Sequence, residues 1–522
     1  MTETSAPARP RFPLPPRAAR LFVLTAVFIC AACGLVYELA LVAIGSYLLG
    51  DTITQASVVL SVMVFAMGVG SLLSKRLQAH PALSFAVIEG LLSLVGGLSV
   101  LLLYGAFAWF SAYQPALVLL SFLIGVLIGV EIPLLMTLIQ KIRRQDASEA
   151  VADLFAADYV GGLIGGLAFP FLLLPLLGLP KGALMVGALN AVVGVAVVLW
   201  LFRQELSRRA HLGLGLGLAL VVGFLALAYA YAEQFEMDAR QALYRDPIVH
   251  AERSEYQEIV VTRSFDGKDV RLFLNGALQF STLDEYRYHE ALVHPVMSGT
   301  HEDVLILGGG DGLAVREILR YDDVDSVTVV DLDPAVVELA TTDPVISDLN
   351  EDSFQDPRVE VINTDAFQWL RENREDFDVV IADLPDGMDV GTSKLYTAEF
   401  YSLLDQGLDE QGRVVVQAGS PFFAPDAFWS VGHSLEETGL AATPYNVDVP
   451  TFGNWGFYLA AEGSAPELWL SEDTPELRFL DDSLLAAAQV FPVDRREEEG
   501  VEESTLMHPR IIDYHRGEWR GY

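Results

Sequence analysis

Four aspartates stand where apolar runs end: Asp311 in LILGGGDG, Asp331 closing VTVVD, Asp365 in NTDAF and Asp383 in DVVIADLPDG. The first follows Val304–Leu307 and sits inside a cluster of Gly308, Gly309, Gly310 and Gly312. A helix-like segment and a second apolar run, Val327–Val330, lead to Asp331. Strand, glycine turn, helix, strand and acid form the arrangement that holds a nucleoside at the carboxyl ends of a doubly wound sheet. The acid closing the second strand is placed to accept hydrogen bonds from ribose hydroxyls. The acid within the turn repels phosphate and attracts a cation, which points away from dinucleotides and toward a positively charged nucleoside. Any one strand-end aspartate also serves as a helix cap or turn residue. All four together converge on one crevice. An acid-lined nucleoside pocket suits a sulfonium donor and an amine acceptor. Transfer between them needs alignment, a base for the amine proton and carboxylates for the charged ends. Asp383 and Asp386, three residues apart beyond a strand, could share the last two tasks.

Residues 301–465 alternate apolar strands with helices, as a mainly parallel sheet requires. The later strands are expected at 359–363, 378–383 and 414–419. Before them, 238–300 is β-rich: YQEIVVTRSF and VRLFLNG flank an Asp266-Gly267 turn. LDEYRYHEALVHP follows with helical spacing and carries Tyr286, Tyr288, His289 and His294. The tail, 466–522, is acidic and mixed, and its terminal aromatics imply docking. Absence of GxxxxGK[ST], HExxH, GxSxG and any cysteine–histidine set excludes a P-loop ATPase and a serine elbow, and no metal is expected.

The mean hydropathy is +0.36 while the net charge is −36. Both hold in one chain because the apolar residues concentrate in 21–232 and nearly all the acids follow. The acidity and a pI near 4.4 argue against nucleic-acid binding. Apolar stretches of roughly 20 residues or more, enough to span a bilayer, run near 21–47, 54–74, 84–110, 115–140, 153–176, 181–202 and 211–232. Arginines precede the first, at 9, 11, 17 and 20, with no cleavage pattern. Alternate connections are basic (Lys75/Arg76, Lys141/Arg143/Arg144, Arg203/Arg208/Arg209), placing the N-terminus inside and, for an odd number of spans, the C-terminal half outside. Cys30 and Cys33 sit in the first span and read as packing. Glu38, Glu89, Glu131, Asp153 and Asp158 lie at membrane depth with no basic partner within a span, either as a cation pathway or as protonated groups.

Residues 255–465 resemble the polyamine aminopropyltransferases, the spermidine synthases. The landmarks come in order: EYQEIVV, LNGALQFSTLDEYRYHEALVHP, LILGGGDG, VTVVDLDP, NTDAF, DVVIADLPDG, KLYTAEFY and VPTFGNWGF. With the apolar half, the chain is similar to the multi-pass cell-membrane branch. The resemblance implies a transmembrane helical bundle, a small β-rich subdomain and a Rossmann-like, methyltransferase-type sheet. It implies that Asp383 is the proton acceptor, assisted by Tyr288. Gln257, Asp331, Asp365, Ala366, Gly308 and Gly310 would hold the donor nucleoside, and His289, Asp311 and Asp386 the polyamine. The co-substrate would be decarboxylated S-adenosylmethionine, the acceptor putrescine, and no cofactor would be needed; a homo-oligomer stays open. The chain departs from the family at Leu384-Pro385-Asp386-Gly387 and at Phe452, where a tyrosine is common, so the acceptor side is the altered one. A polyamine carrier or synthase–exporter, a degenerate sensor, and a methyltransferase using unmodified S-adenosylmethionine are the competing readings. Asp311 disfavours the last, since it would meet a substrate carboxylate.

Overall fold

The computed structural model describes residues 13–49, 52–142, 147–373 and 375–518. Arg9, Arg11, Arg143 and Arg144 of the basic pattern, and Trp519 and Tyr522 of the aromatic tail, lie outside the described residues. The chain divides into two compact units, Met1–Arg245 and Asp246–Tyr522.

The first unit is helical: α1 (Pro16–Leu49), α2 (Thr52–Leu77), α3 (Pro81–Phe110), α4 (Tyr113–Ile142), α5 (Ala147–Ala168), α6 (Leu174–Leu201) and α7 (Arg208–Leu243). Among the described residues, six helical stretches are long and apolar enough to cross a membrane. The sequence suggested seven. The difference lies at 153–176 and 181–202, which fall within one 51-residue stretch, Val151–Leu201; a π-helical turn, Phe169–Leu173, lies inside the first of them, and the backbone breaks between the two. That length would reach about 77 Å as one straight helix, more than twice a bilayer core. It is not straight: Gly178, at φ +68° and ψ 176°, is non-helical, and Pro180 follows. The small residues of GGLIGG allow the close contact they suggested. Side chains at Gly161 and Gly165 would collide with the α1 backbone at Phe28 and Ala32.

Two expectations for this unit change. Asp153 does have a basic partner, Arg20 at the entrance to α1. The β-rich segment expected from 238 begins later, because 238–243 form the last turns of α7, whose polar Glu233–Leu243 end carries an Arg240–Glu236 pair at 3.0 Å.

The second unit holds two sheets. The smaller is an antiparallel meander of β1 (Ile248–Arg253), β2 (Glu258–Arg263), β3 (Val270–Leu274) and β4 (Ala277–Ser281). Its outer strands escaped the sequence reading because β1 lies mostly exposed, so no apolar alternation marks it. The larger sheet contains β5 (Asp303–Gly308), β6 (Ser326–Asp331), β7 (Val359–Asn363), β8 (Phe377–Asp383), β9 (Leu408–Gln417), β10 (Leu440–Val449) and β11 (Gly453–Glu462). Their spatial order is β10-β11-β9-β8-β5-β6-β7. The five strands from β7 to β9 are parallel, and β11 and β10 close the edge antiparallel. Val304–Leu307 and Val379–Ala382 are buried throughout, as strands covered on both faces must be. The sheet reverses direction of growth at β5, between β6 and β8. A crevice opens at the carboxyl ends there, the place where such sheets take ligands.

Candidate active site

The glycine turn after β5 is shaped by two steric demands. Gly308 has φ +86°, and a side chain there would strike the carbonyl of Asp383 at the end of the neighbouring β8. Gly310 approaches Asp331: a Cβ would lie 2.6 Å from Oδ2. Its backbone N–H donates to that oxygen at 3.1 Å, while the N–H of Asp333 donates to Oδ1 at 2.8 Å. The Asp331 carboxylate is therefore aimed by backbone from both sides. Burial raises its pKa to about 6, the two N–H donors pull it back, and Asp333 and Asp311 push it up.

Asp383 closes β8. Tyr288 donates its hydroxyl hydrogen to Asp383 Oδ1 at 2.6 Å. Burial, reinforced by the charge of Asp311, lifts the Asp383 carboxyl from its ordinary 3.8 to about 6, against the opposing pull of His289 and Tyr288. A carboxyl at that value exchanges a proton close to neutral pH, as a general base must. Tyr288 itself is buried, and its pKa is pushed well up by burial and by Asp383, so it stays a donor.

Tyr288 and His289 come from α8 (Glu285–Val293), which a buried charge network holds. Glu285 takes two hydrogen bonds from Arg316, at 2.9 and 3.1 Å, and Arg316 sits on α9 (Leu313–Ile318), the helix opened by the glycine turn. His289 Nδ1 lies 3.0 Å from a Glu285 oxygen. Burial works to lower the His289 pKa, but Glu285 more than offsets it and the net shift is upward. Asp284, just before α8, accepts from the Thr451 amide at 2.7 Å and hydroxyl at 2.8 Å. That clamp sets Phe452 edge-on to Tyr288, ring centroids 5.9 Å apart. The residue standing where a tyrosine is common thus packs directly on Tyr288, the partner of Asp383.

The remaining expected residues sit around this crevice with different freedom. Asp311 anchors the turn through the Leu313 amide at 2.9 Å. Gln257 donates to Asp333 Oδ2 at 3.0 Å, so its amide nitrogen is already engaged. Asp365 caps the helix Ala366–Glu372 through the Gln368 amide at 3.0 Å, and its other oxygen takes Lys394 at 2.5 Å. Both its oxygens are thus occupied, and Lys394 depresses its pKa against the effect of burial. Ala366 opens that helix and is buried.

Gln417 and Tyr396 were not singled out from sequence. Gln417 ends β9, donates to the Leu384 carbonyl and to Asp386 Oδ1 at 3.3 Å, and makes a 2.6 Å contact with the Tyr396 hydroxyl. Its oxygen accepts from the Trp455 indole at 3.2 Å. Together these fasten the Leu384–Gly387 segment. A lone amide closing the apolar run VVVQ was the available signal. Among the described residues one group could hold a metal ion: Cys30, Glu89 and Glu131, with ligand atoms within 4.8 Å of one another. It lies in the helical unit, not in this crevice.

The spermine/spermidine synthase domain model matches residues 285–471. Along nearly the whole chain the match continues: polyamine aminopropyltransferase 1 of Streptomyces coelicolor is 57% identical, over 99% of this chain and 98% of that one. This chain belongs to the polyamine aminopropyltransferase family. A polyamine aminopropyltransferase of Mycobacterium tuberculosis is 45% identical over 96% of this chain and 97% of its own. The crystal structure of spermidine synthase from Thermotoga maritima is similar at 25% identity and a TM-score of 0.42, covering 47% of this chain and 84% of that one. The aminopropyltransferase domain match opens at Glu285, the first residue of α8, and ends at Ser471. The small sheet with Gln257 and the tail after 471 lie beyond it.

Proposed function

We propose that this aminopropyltransferase is membrane-anchored and moves aminopropyl from decarboxylated S-adenosylmethionine to putrescine, giving spermidine and methylthioadenosine. The reading is carried by the Tyr288–Asp383 pair beside the glycine turn, with the Asp383 carboxyl near 6. Asp331 receives the ribose hydroxyls, between Gly308 and Gly310. Gln257, Asp365 and Ala366 flank the nucleoside. Asp311 faces the donor's amine, and His289 and Asp386 the polyamine. The attacking amine forms a bond to the methylene beside the sulfonium. The C–S bond electrons return to sulfur, a neutral thioether departs, and Asp383 takes the proton from the new ammonium. A sulfonium is already an activated leaving group, so the step calls on no metal or redox cofactor. What the site supplies is alignment and charge.

Membrane anchoring is supported by the first unit's surface, where Phe65, Phe110, Phe171 and Leu212 are exposed on apolar helices, as lipid-facing side chains would be. The full chain in detergent, given decarboxylated S-adenosylmethionine and putrescine, should release methylthioadenosine. No product with any diamine or polyamine acceptor would overturn the reading and leave a sensor with a degenerate site. A C-terminal reporter decides which side of the membrane the sheet unit occupies.

One observation favours an added transport role. Glu89 and Asn190 are fully buried, bonded to each other at 2.8 Å, and each keeps one acceptor oxygen without a partner. Vesicles containing the protein should then accumulate labelled putrescine or spermidine, and uptake no greater than that of empty vesicles removes this role.

A further inference from the structure

One wall of the acceptor side comes from outside the family match. The C-terminal helix, Arg510–Glu518, packs Ile511 against the catalytic segment: a Cβ on Gly387 would sit 3.2 Å from Ile511 side-chain carbons. Ile511 and Ile512 are buried in the core that also contains Leu384, Tyr396 and Ala418. The tail ahead of this helix is tied down as well. The Ser504 amide donates to Ser434 at 2.9 Å, and the Glu502 amide donates to the Tyr514 hydroxyl at 2.9 Å.

This helix carries His515 inward, to 4% exposure. A Cβ built on Gly419 would lie 3.5 Å from Asp386 Oδ1 and 4.0 Å from His515 Cε1, so the imidazole and the carboxylate flank the same glycine. Gln417 holds Asp386 from the other side. Burial lowers the His515 pKa, with Asp386 opposing, so near neutral pH the ring is uncharged and has a lone pair to offer. Its Nδ1 is buried and has no hydrogen-bond partner. A buried, unpartnered ring nitrogen beside a carboxylate is a polar environment short of donors. An ammonium group brings three.

We propose that His515 is a specificity-determining residue of the acceptor site, forming with Asp386 the subsite for the distal ammonium of a diamine. The proposal rests on the aminopropyltransferase reading and on Asp386 facing the acceptor. It puts the selection of acceptor in a tail helix that the shared domain does not contain, next to the Leu384–Gly387 segment that departs from the family.

The test is steady-state kinetics of the full chain with putrescine and decarboxylated S-adenosylmethionine. His515→Ala should raise KM for putrescine about tenfold, the loss of one hydrogen bond to a charged group. The kcat and the donor KM should stay within about twofold of wild type. His515→Asn, which keeps an acceptor atom near the Nδ1 position, should restore most of the putrescine KM. An unchanged putrescine KM in His515→Ala would overturn the proposal. So would a parallel loss of kcat and donor affinity not rescued by asparagine, the signature of a packing role. Absence of methylthioadenosine in the wild type would instead defeat the underlying reading.

Discussion

Replacing Asp383 by asparagine should make the protein more stable while nearly abolishing its activity. In the folded chain the carboxyl titrates at about 6 instead of 3.8, a rise of about 2 units caused by burial and by Asp311. Each unit corresponds to about 1.4 kcal/mol, so keeping Asp383 ionised above pH 6 costs the native state about 3 kcal/mol. Because the folded pKa is the raised one, the native state is favoured while the group is protonated. That advantage is complete below about pH 4 and is lost as pH rises through about 6. Asparagine cannot ionise, yet keeps an oxygen for the Tyr288 hydroxyl. The sheet unit of Asp383→Asn should therefore melt roughly 6–12 °C higher than wild type at pH 8, with the gain vanishing near pH 4. Removal of the base should lower kcat by about 10²–10⁴-fold. Thermal melts across pH, paired with methylthioadenosine release, check both arms. A stability gain equal at pH 4 and pH 8 would refute the burial argument. More than a tenth of wild-type activity would refute the assignment of the base.

Two further substitutions probe the same crevice. Tyr288→Phe removes the 2.6 Å bond that pulls the Asp383 pKa down, so kcat should fall about tenfold and the acid limb of its pH profile should move to higher pH. A profile unmoved from wild type would separate Tyr288 from the base. Gly308→Ala and Gly267→Ala both force a side chain into positive φ, at +86° and +72°, a strain of about 1–2 kcal/mol each. Only the first also meets the Asp383 carbonyl, since nothing lies within 4 Å at Gly267. Gly308→Ala should consequently lower the melting temperature clearly more than Gly267→Ala, and equal shifts would show that the contact with β8 is relaxed at no cost.

The glycine turn and its acids were readable because they are local. Gly308 to Gly312, Asp311 and Asp331 occupy one strand–turn–helix–strand run, and the backbone N–H groups that aim Asp331 belong to residues 310 and 333. Period and turn chemistry within about 30 residues determine such a unit. β8 and its terminal Asp383 were equally plain, since a strand buried on both faces must be apolar along its length. The exposed β1 was not, and neither was the π-helical turn Phe169–Leu173 inside the apolar stretch 153–176. Hydropathy measures how apolar a segment is, not how its helix is wound.

The sequence alone determined that this chain pairs a membrane-like apolar half with a glycine turn and acids at strand ends, since amphiphilic pattern and glycine turns act over short separations. Tertiary structure decided which side chains meet there. Tyr288 reaches Asp383 across 95 residues, and His515 flanks Gly419 from a helix near the far end of the chain. It also decided which acids are committed: Asp365 is held by Lys394 and Asp153 by Arg20. The Asp383 pKa follows from burial by distant strands and from the charge of Asp311 in the adjacent turn. Burial and charge proximity are properties of three-dimensional position, and the order of residues along the chain does not contain them until the chain has folded.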